Sequence, residues 1–425
     1  MVRTKTLISK RRSIKSFAMV LVCGLVLLDG SVAGAGLKPG QKGRPSRTLR
    51  AMARVYMAYG DYAKAQPLVE QALALARMNS SDSELSASLI DMAWLYKNQG
   101  RFADAEKMCK SGLELQEKIY YKDHPYIAYT LRILSSIYQG QSKYRQARTV
   151  LDRAMAIMQK SHPTDEPVMA GFQVDIAKLL TAQGSFAEAE TYYQQALTLI
   201  NKSYGPDHLY TAAVLGNIAK LYTLQARFPE AESLIKKTLV IQEKTYGPEH
   251  HLLVPTWLTM ARIYQAKKNY TKAEELLQKA LVVVEKKQGY EHPLMGKILN
   301  MLGAVYIADG KYAKAESVCQ RAVKVLEASL GADNDYTAMA FNNLAKLYIH
   351  QGKYREAQNL CRRSLATLEN IFDQNHPNIA AVLDTMDQLH LKAGNVTEVA
   401  KLQQRIEKIP ERKQLAYGAI AEAIK

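Results

Sequence analysis

The sequence predicts an all-α fold, an α-solenoid of about nine stacked helix–turn–helix units. Two observations carry that prediction. Residues recur with a 42-residue period over most of the 425-residue chain, and no stretch shows the alternation of a half-buried strand. An apolar fraction of 48% is ample for a long buried core.

The period is marked by the tyrosine that closes an A-x-x-Y-like segment. It stands at Tyr56, Tyr96, Tyr138, Tyr222, Tyr264, Tyr306 and Tyr348, with Leu180 and His390 in the two remaining slots. From Tyr96 onward each step is 42 residues, and the first is 40. Nine residues after the first eight landmarks stand Ala65, Ala105, Ala147, Ala189, Ala231, Ala273, Ala315 and Ala357. An aromatic residue follows each of these landmarks by six, as in Tyr62 and Tyr354. Apolar residues at landmark −7, −4 and 0, such as Trp257 and Met52, share one helix face and are expected in the core. A glycine four after many landmarks (Gly60, Gly100, Gly184, Gly310, Gly352, Gly394) ends this first helix. The aromatic and the alanine open a second one. A single hairpin cannot bury its apolar face, so the units must stack into a rod. The ninth unit has Val396 and Val399 in place of the aromatic and the alanine, as expected of a terminal cap.

These features resemble the tetratricopeptide repeat family. The unit Asn342–Leu365 (NNLAKLYIHQGKYREAQNLCRRSL) lies close to that family's consensus, and the resemblance covers about residues 47–409. The usual repeat has 34 residues. The longer repeat here resembles the kinesin-light-chain variety, also found in bacterial exported proteins. So does a recurrent linker, seen in Tyr204-Gly205-Pro206-Asp207-His208 and Tyr246-Gly247-Pro248-Glu249-His250. The resemblance implies a right-handed superhelix with first helices lining an open concave groove.

Residues 1–35 read as a secretory signal. Six cations (Arg3, Lys5, Lys10, Arg11, Arg12, Lys15) precede a 12-residue apolar run, Phe17 to Leu28, and a small-residue stretch, Ser31 to Gly36. The run is shorter than the roughly 20 residues of a membrane span. The mature protein is therefore expected outside the cytoplasm, periplasmic or extracellular, with an uncleaved membrane tether as the alternative. Residues 36–46 read as a flexible linker and 410–425 as a C-terminal capping helix.

The net charge is +17, of which +12 lies beyond residue 35. That favours acidic partners, or alternatively anionic cell-envelope polymers. Nucleic acid is not expected, because no aromatic-plus-basic module for bases is visible. Cys109, Cys319 and Cys361 share one core-facing phase and read as small apolar residues. His124, His208, His250, His292 and His376 share a linker phase. Successive repeats stand at least ~8–10 Å apart, too far for these histidines to converge on one metal ion. No catalytic or cofactor motif appears, so neither an enzyme nor a cofactor or metal is expected.

By resemblance, the concave face is occupied by landmark −9, −6, −5, −2, +1 and +2. Its expected peptide-binding residues are Trp94, Arg132, Lys178, Asn217, Lys220, Arg262, Asn300, Asn342, Asn343 and Lys346. Asparagine amides pair with an extended peptide backbone, and cations attract its carboxylates. A tryptophan at such a slot is an anchor.

Overall fold

A computed structural model describes residues 45–162, 165–407 and 409. The expected signal segment, nearly all of the linker and the C-terminal tail lie outside the described residues. Among the described residues there are 18 α-helices and no strand. The chain divides into two compact units, residues up to Ile137 and residues from Tyr138 onward.

In the first unit, α1 (Pro45–Ala58) pairs with α2 (Tyr62–Met78), and α3 (Asp82–Asn98) with α4 (Phe102–Ile119). The unit boundary falls inside α5 (Pro125–Gly140). The second unit continues with α6 (Tyr144–Ser161), α7 (Glu166–Ala182), α8 (Phe186–Tyr204), α9 (Leu209–Leu224), α10 (Phe228–Tyr246), α11 (Val254–Ala266) and α12 (Tyr270–Gln288). It ends with α13 (Pro293–Ala308), α14 (Tyr312–Leu330), α15 (Asp335–His350), α16 (Tyr354–Ile371), α17 (Pro377–Lys392) and α18 (Val396–Glu407). Helix α1 starts at Pro45, a residue suited to a first helical turn. Two residues read as linker therefore belong to the solenoid. Ser46 is buried and donates to Glu84 Oε2 at 2.7 Å.

The periodic positions do what their spacing demands. All eight phase-matched alanines are fully buried, where a larger side chain would push paired helices apart. Trp257 and the three cysteines are buried too, and burial pushes each thiol up to about 12. Met52 departs from expectation. It is 46% exposed beside Val55, because described elements flank α1 on one side only.

The linker histidines cap helices. Nδ1 of His124, His208, His250, His292 and His376 accepts from the backbone N–H two residues on, at 3.1–3.3 Å. Asn334 holds the same phase and accepts from the Tyr336 N–H at 3.0 Å.

The glycine slot is a left-handed C-cap, with φ between 68° and 82° at Gly60, Gly100, Gly184, Gly310, Gly352 and Gly394. Ser142, Ala226 and Lys268 occupy the same slot with φ near 60°. A side chain there costs roughly 1 kcal/mol that glycine avoids.

Ser142 is the exception with a purpose, for it takes part in closing the second unit on itself. Its hydroxyl donates to Asp335 Oδ1 at 2.7 Å and accepts from the Asp335 N–H at 3.1 Å. The Tyr144 hydroxyl donates to Asp335 Oδ2 at 3.0 Å, and Asn334 Nδ2 donates to the Gly140 carbonyl at 3.1 Å. One repeat further along both sides, His376 Nε2 meets the Ala182 carbonyl at 3.0 Å. Gly184 sits so close to Pro377 that a Cβ would lie 2.9 Å from its Cδ. These partners are 191–194 residues apart in sequence, between four and five repeats. Tyr144 also stacks on Phe372, centroids 5.2 Å apart. The contact explains why Tyr144, at 4% exposure, is buried while Tyr354 in the same phase is exposed. An open rod is thus not what the second unit forms. Its early hairpin turns rest on its late linkers.

Two predictions follow from these caps. Ala226→Gly and Lys268→Gly should each stabilise the fold by ~0.5–1 kcal/mol, read as a raised denaturation midpoint, and a lowered midpoint would contradict the left-handed strain. His376 is buried, which pulls its pKa from 6.5 down to about 4, against smaller opposing effects of the Ala182 carbonyl and Asp373. Its neutral form is therefore favoured in the folded state. The stability it confers is full above pH 6.5 and falls away as pH drops from 6.5 to about 4. His376→Asn keeps a capping side chain and should flatten acid destabilisation in that window by on the order of 2 kcal/mol, read from denaturation curves across pH. An unchanged slope would show that His376 is not buried neutral.

Candidate functional site

The first helices of successive repeats bring cations into one space in the second unit. Lys178 on α7, Lys220 on α9 and Arg262 on α11 stand two residues before their landmarks. Lys346 on α15 holds the same slot, and Lys297 on α13 stands nine residues before its landmark, about two turns earlier on its helix. Burial pulls the Lys220 ammonium below the usual lysine range. Nearby Tyr336 opposes this, while Arg262, Lys297 and Lys178 reinforce it. The Lys220 ammonium therefore feels cations from three other repeats. Water reaches the Lys220 side chain, which is exposed by surface area, yet protein surrounds it closely enough to weaken its hydration. A narrow, wetted recess reconciles the two facts.

Lys297 is half-buried, with Nζ 3.2 Å from the centroid of the Tyr336 ring. Burial lowers its pKa to about 8, with Asp335 opposing. Burial also lowers Lys346, opposed by Asp384 and Cys361. Lys178 is partly neutralised by Asp175, 3.4 Å away. Asp335 therefore has two roles. It holds the closure through Ser142 and Tyr144, and it provides negative charge near Lys297.

The asparagines are placed differently from expectation. Asn342 is fully buried, and its Nδ2 donates to the Ala381 carbonyl at 3.4 Å, so it belongs to the packing between α15 and α17 rather than to the groove. Landmark −6 lies to one side of the concave face and is turned toward the next repeat. Two further −6 residues also turn toward the next repeat, and these reach the −5 residue of its first helix. Asn343 Nδ2 donates to Asn300 Oδ1 at 2.8 Å. In the first unit, Arg50 Nε meets Asp91 Oδ2 at 2.5 Å by the same register. Asn217 donates to the Ala213 carbonyl of its own helix at 2.8 Å. The Asn342 and Asn343 amides are thus engaged within the protein, and Asn217 makes one bond to its own helix.

Trp94 and Arg132 are half-buried in the first unit. Trp94 lines a cleft of about 120 Å³ with Arg47, Arg50, Asp91, Gln116, Tyr126 and Tyr129. Burial pushes the Asp91 carboxyl up, but Arg54 and Arg50 outweigh it and hold it below its ordinary value.

Sequence reasoning missed the closure residues Ser142, Tyr144 and Asp335. The available signal was irregularity, a serine in the glycine slot and Asn334-Asp335 where other linkers carry histidine. Among the described residues, no group of three or more His, Cys, Asp or Glu side chains is placed to hold a metal ion, and no helix is long and apolar enough to cross a membrane.

The tetratricopeptide repeat profile matches residues 44–118, 84–160, 169–244, 217–286, 252–328, 294–370 and 336–412. No curated protein matches the sequence. Among solved structures, a Rap protein complexed with competence and sporulation factor is 14% identical. That match covers 89% of this chain and 99% of the Rap chain, with a TM-score of 0.62. The apo form of RapI is also 14% identical, over 86% of this chain and 98% of its own, with a TM-score of 0.47. A putative kinesin light chain of nearly identical TPR-like repeats from Podosopora anserina is 24% identical, over 48% of this chain and 100% of its own, with a TM-score of 0.39. The repeat phase, the helix pairs and the profile matches over both units agree, and the chain belongs to the tetratricopeptide repeat family.

Proposed function

We propose that this protein is an exported scaffold that captures an acidic segment of a partner protein in the concave recess of its second unit. The observation that carries the reading is the convergence of Lys178, Lys220, Arg262 and Lys297 in one partly desolvated space. Crowded like charges destabilise one another, and a bound carboxylate relieves that cost. Tetratricopeptide repeats serve as interaction scaffolds, and the absence of recognisable catalytic motifs in the sequence fits binding rather than turnover. Export rests on the residue order of the first 35 positions.

The closure adds a constraint on the partner. A recess bounded by the Ser142–Asp335 and His376–Ala182 contacts favours an extended segment over a folded surface.

Three tests bear on this reading. An acetylated peptide of alternating glutamate and glycine should bind the wild type and lose at least about tenfold in affinity to the Lys178→Ala, Lys220→Ala, Arg262→Ala variant, measured by isothermal titration. Equal affinity would sink the groove assignment. Binding of anionic cell-envelope polymers through net charge alone predicts instead an affinity that collapses with salt and responds equally to cations removed anywhere on the surface. Finally, dimethyl-lysine carbon-13 resonances should include one, assigned by Lys297→Arg, that titrates near pH 8 in the free protein and moves upward when the acidic peptide binds. A Lys297 midpoint in the ordinary lysine range would contradict the crowded recess.

A further inference from the structure

We infer that the outer face of α1 is an interface between two copies of this chain, paired antiparallel about a two-fold axis. The face is one helical stripe. Thr48, Ala51, Met52, Val55 and Tyr59 are all exposed, and their spacing of three and four residues aligns them along one side of the helix. The stripe is ~16 Å long and carries no charged side chain. Met52, Val55 and Tyr59 are 46%, 42% and 41% exposed, so its apolar part is open to water.

Two of these slots are core elsewhere. The slot of Val55, one before the landmark, is at most 2% exposed in every later repeat, from Leu95 to Leu389. The slot of Met52 holds Met92 and Leu134 in the next two repeats, both 3% exposed. Met92 and Leu95 share a core with Met57 and Val69 of the repeat before them. No described helix precedes α1. The end of a solenoid ordinarily meets water with a polar face. The first repeat does the reverse. Three residues after the landmark, later repeats hold Gln99, Gln141, Gln183, Gln225 and Gln351, where the first repeat has Tyr59. An aromatic ring in place of an amide stabilises only an edge that is covered.

The identity of the cover follows from composition and rests on the export reading. After cleavage near residue 35, residues 36–44 (GLKPGQKGR) precede α1 and hold one large apolar side chain, Leu37. They supply too little apolar surface to cover the stripe. The stripe is instead complementary to itself. In an antiparallel pair centred between Met52 and Val55, those two residues meet across the axis, and the bulky Tyr59 falls opposite the small Thr48. Arg47, exposed at the start of the stripe, then lies beside the partner's Tyr59 ring rather than beside a like charge. A seam one helix wide buries less than the ~1,600 Å² of a standard interface, so the dimer is reversible, with a dissociation constant on the order of micromolar.

Sedimentation velocity on the mature chain, residues 36–425, provides the test. The protein should pass from monomer to dimer as its concentration rises through about 1–100 µM, with nothing larger. Tyr59→Gln installs the residue common at that slot, which the fold tolerates, and should weaken the dimer at least about tenfold. Val55→Gln with Tyr59→Gln should be monomeric throughout, with unchanged helicity by circular dichroism. Leu391→Gln with Val396→Gln, at residues exposed near the other end of the solenoid, should leave the dimer as it is. A parent that stays monomeric at 100 µM, species that keep growing with concentration, or a dimer that survives Val55→Gln with Tyr59→Gln would each overturn the interface. Mass spectrometry of the full chain recovered from expressing cells reads leader cleavage separately. A retained leader would contradict export, while sedimentation of residues 36–425 still decides the interface.

Discussion

The Asp335 carboxylate sits at the first turn of α15, 193 residues in sequence from the serine hydroxyl that binds it. Burying a carboxylate is costly, and burial does raise its pKa. The cost is offset by Ser142, by Tyr144, by its own N–H on Ser142 Oγ, and by the field of Lys297. Nearest-neighbour stacking alone would leave the second unit open. This pairing, repeated one unit along by His376 and Ala182, turns a stack into a closed turn.

Closure gives the concave cations their character. On an open, hydrated face, Lys220 and Lys297 would titrate as ordinary surface lysines, screened by solvent. Confined, both lose hydration, which lowers both pKa values, and Lys220 is lowered further by Arg262, Lys297 and Lys178. Lys297 links the two systems, because its ammonium lies over Tyr336 and feels the adjacent Asp335. An anion drawn to Lys297 competes with Asp335 for the same charge. Occupation of the recess and strength of the closure are therefore energetically coupled, and by linkage the coupling runs both ways.

Much of the fold was legible in the sequence because it is periodic. The alanine, cysteine and Trp257 positions are core by phase and core in fact, and the linker histidines have the local role that their spacing implied. Periodicity had less to say about faces. It placed Asn342 in the groove, whereas the true direction of landmark −6 depends on where the next repeat sits. It likewise offered the Asn300 and Asn343 amides to a peptide, although adjacent repeats bring them to each other. Closure has no periodic signature at all. It is written in departures from the repeat, such as Ser142 in a glycine slot and Asn334-Asp335 in a histidine linker. In the first unit the concave slots foresaw Trp94, while Gln116 lies on a second helix that those slots leave out.

The account stands or falls on closure of the second unit in solution. Arg145 and Asp373 are exposed and lie 3.5 Å apart at its rim, while the three described cysteines are buried. Spin labels placed at Arg145→Cys and Asp373→Cys report that separation by pulsed electron resonance. A closed unit predicts a single short, narrow distance distribution that broadens in Asp335→Ala. A long or broad distribution in the parent, unaffected by Asp335→Ala, would contradict the closure and with it the confined cation recess.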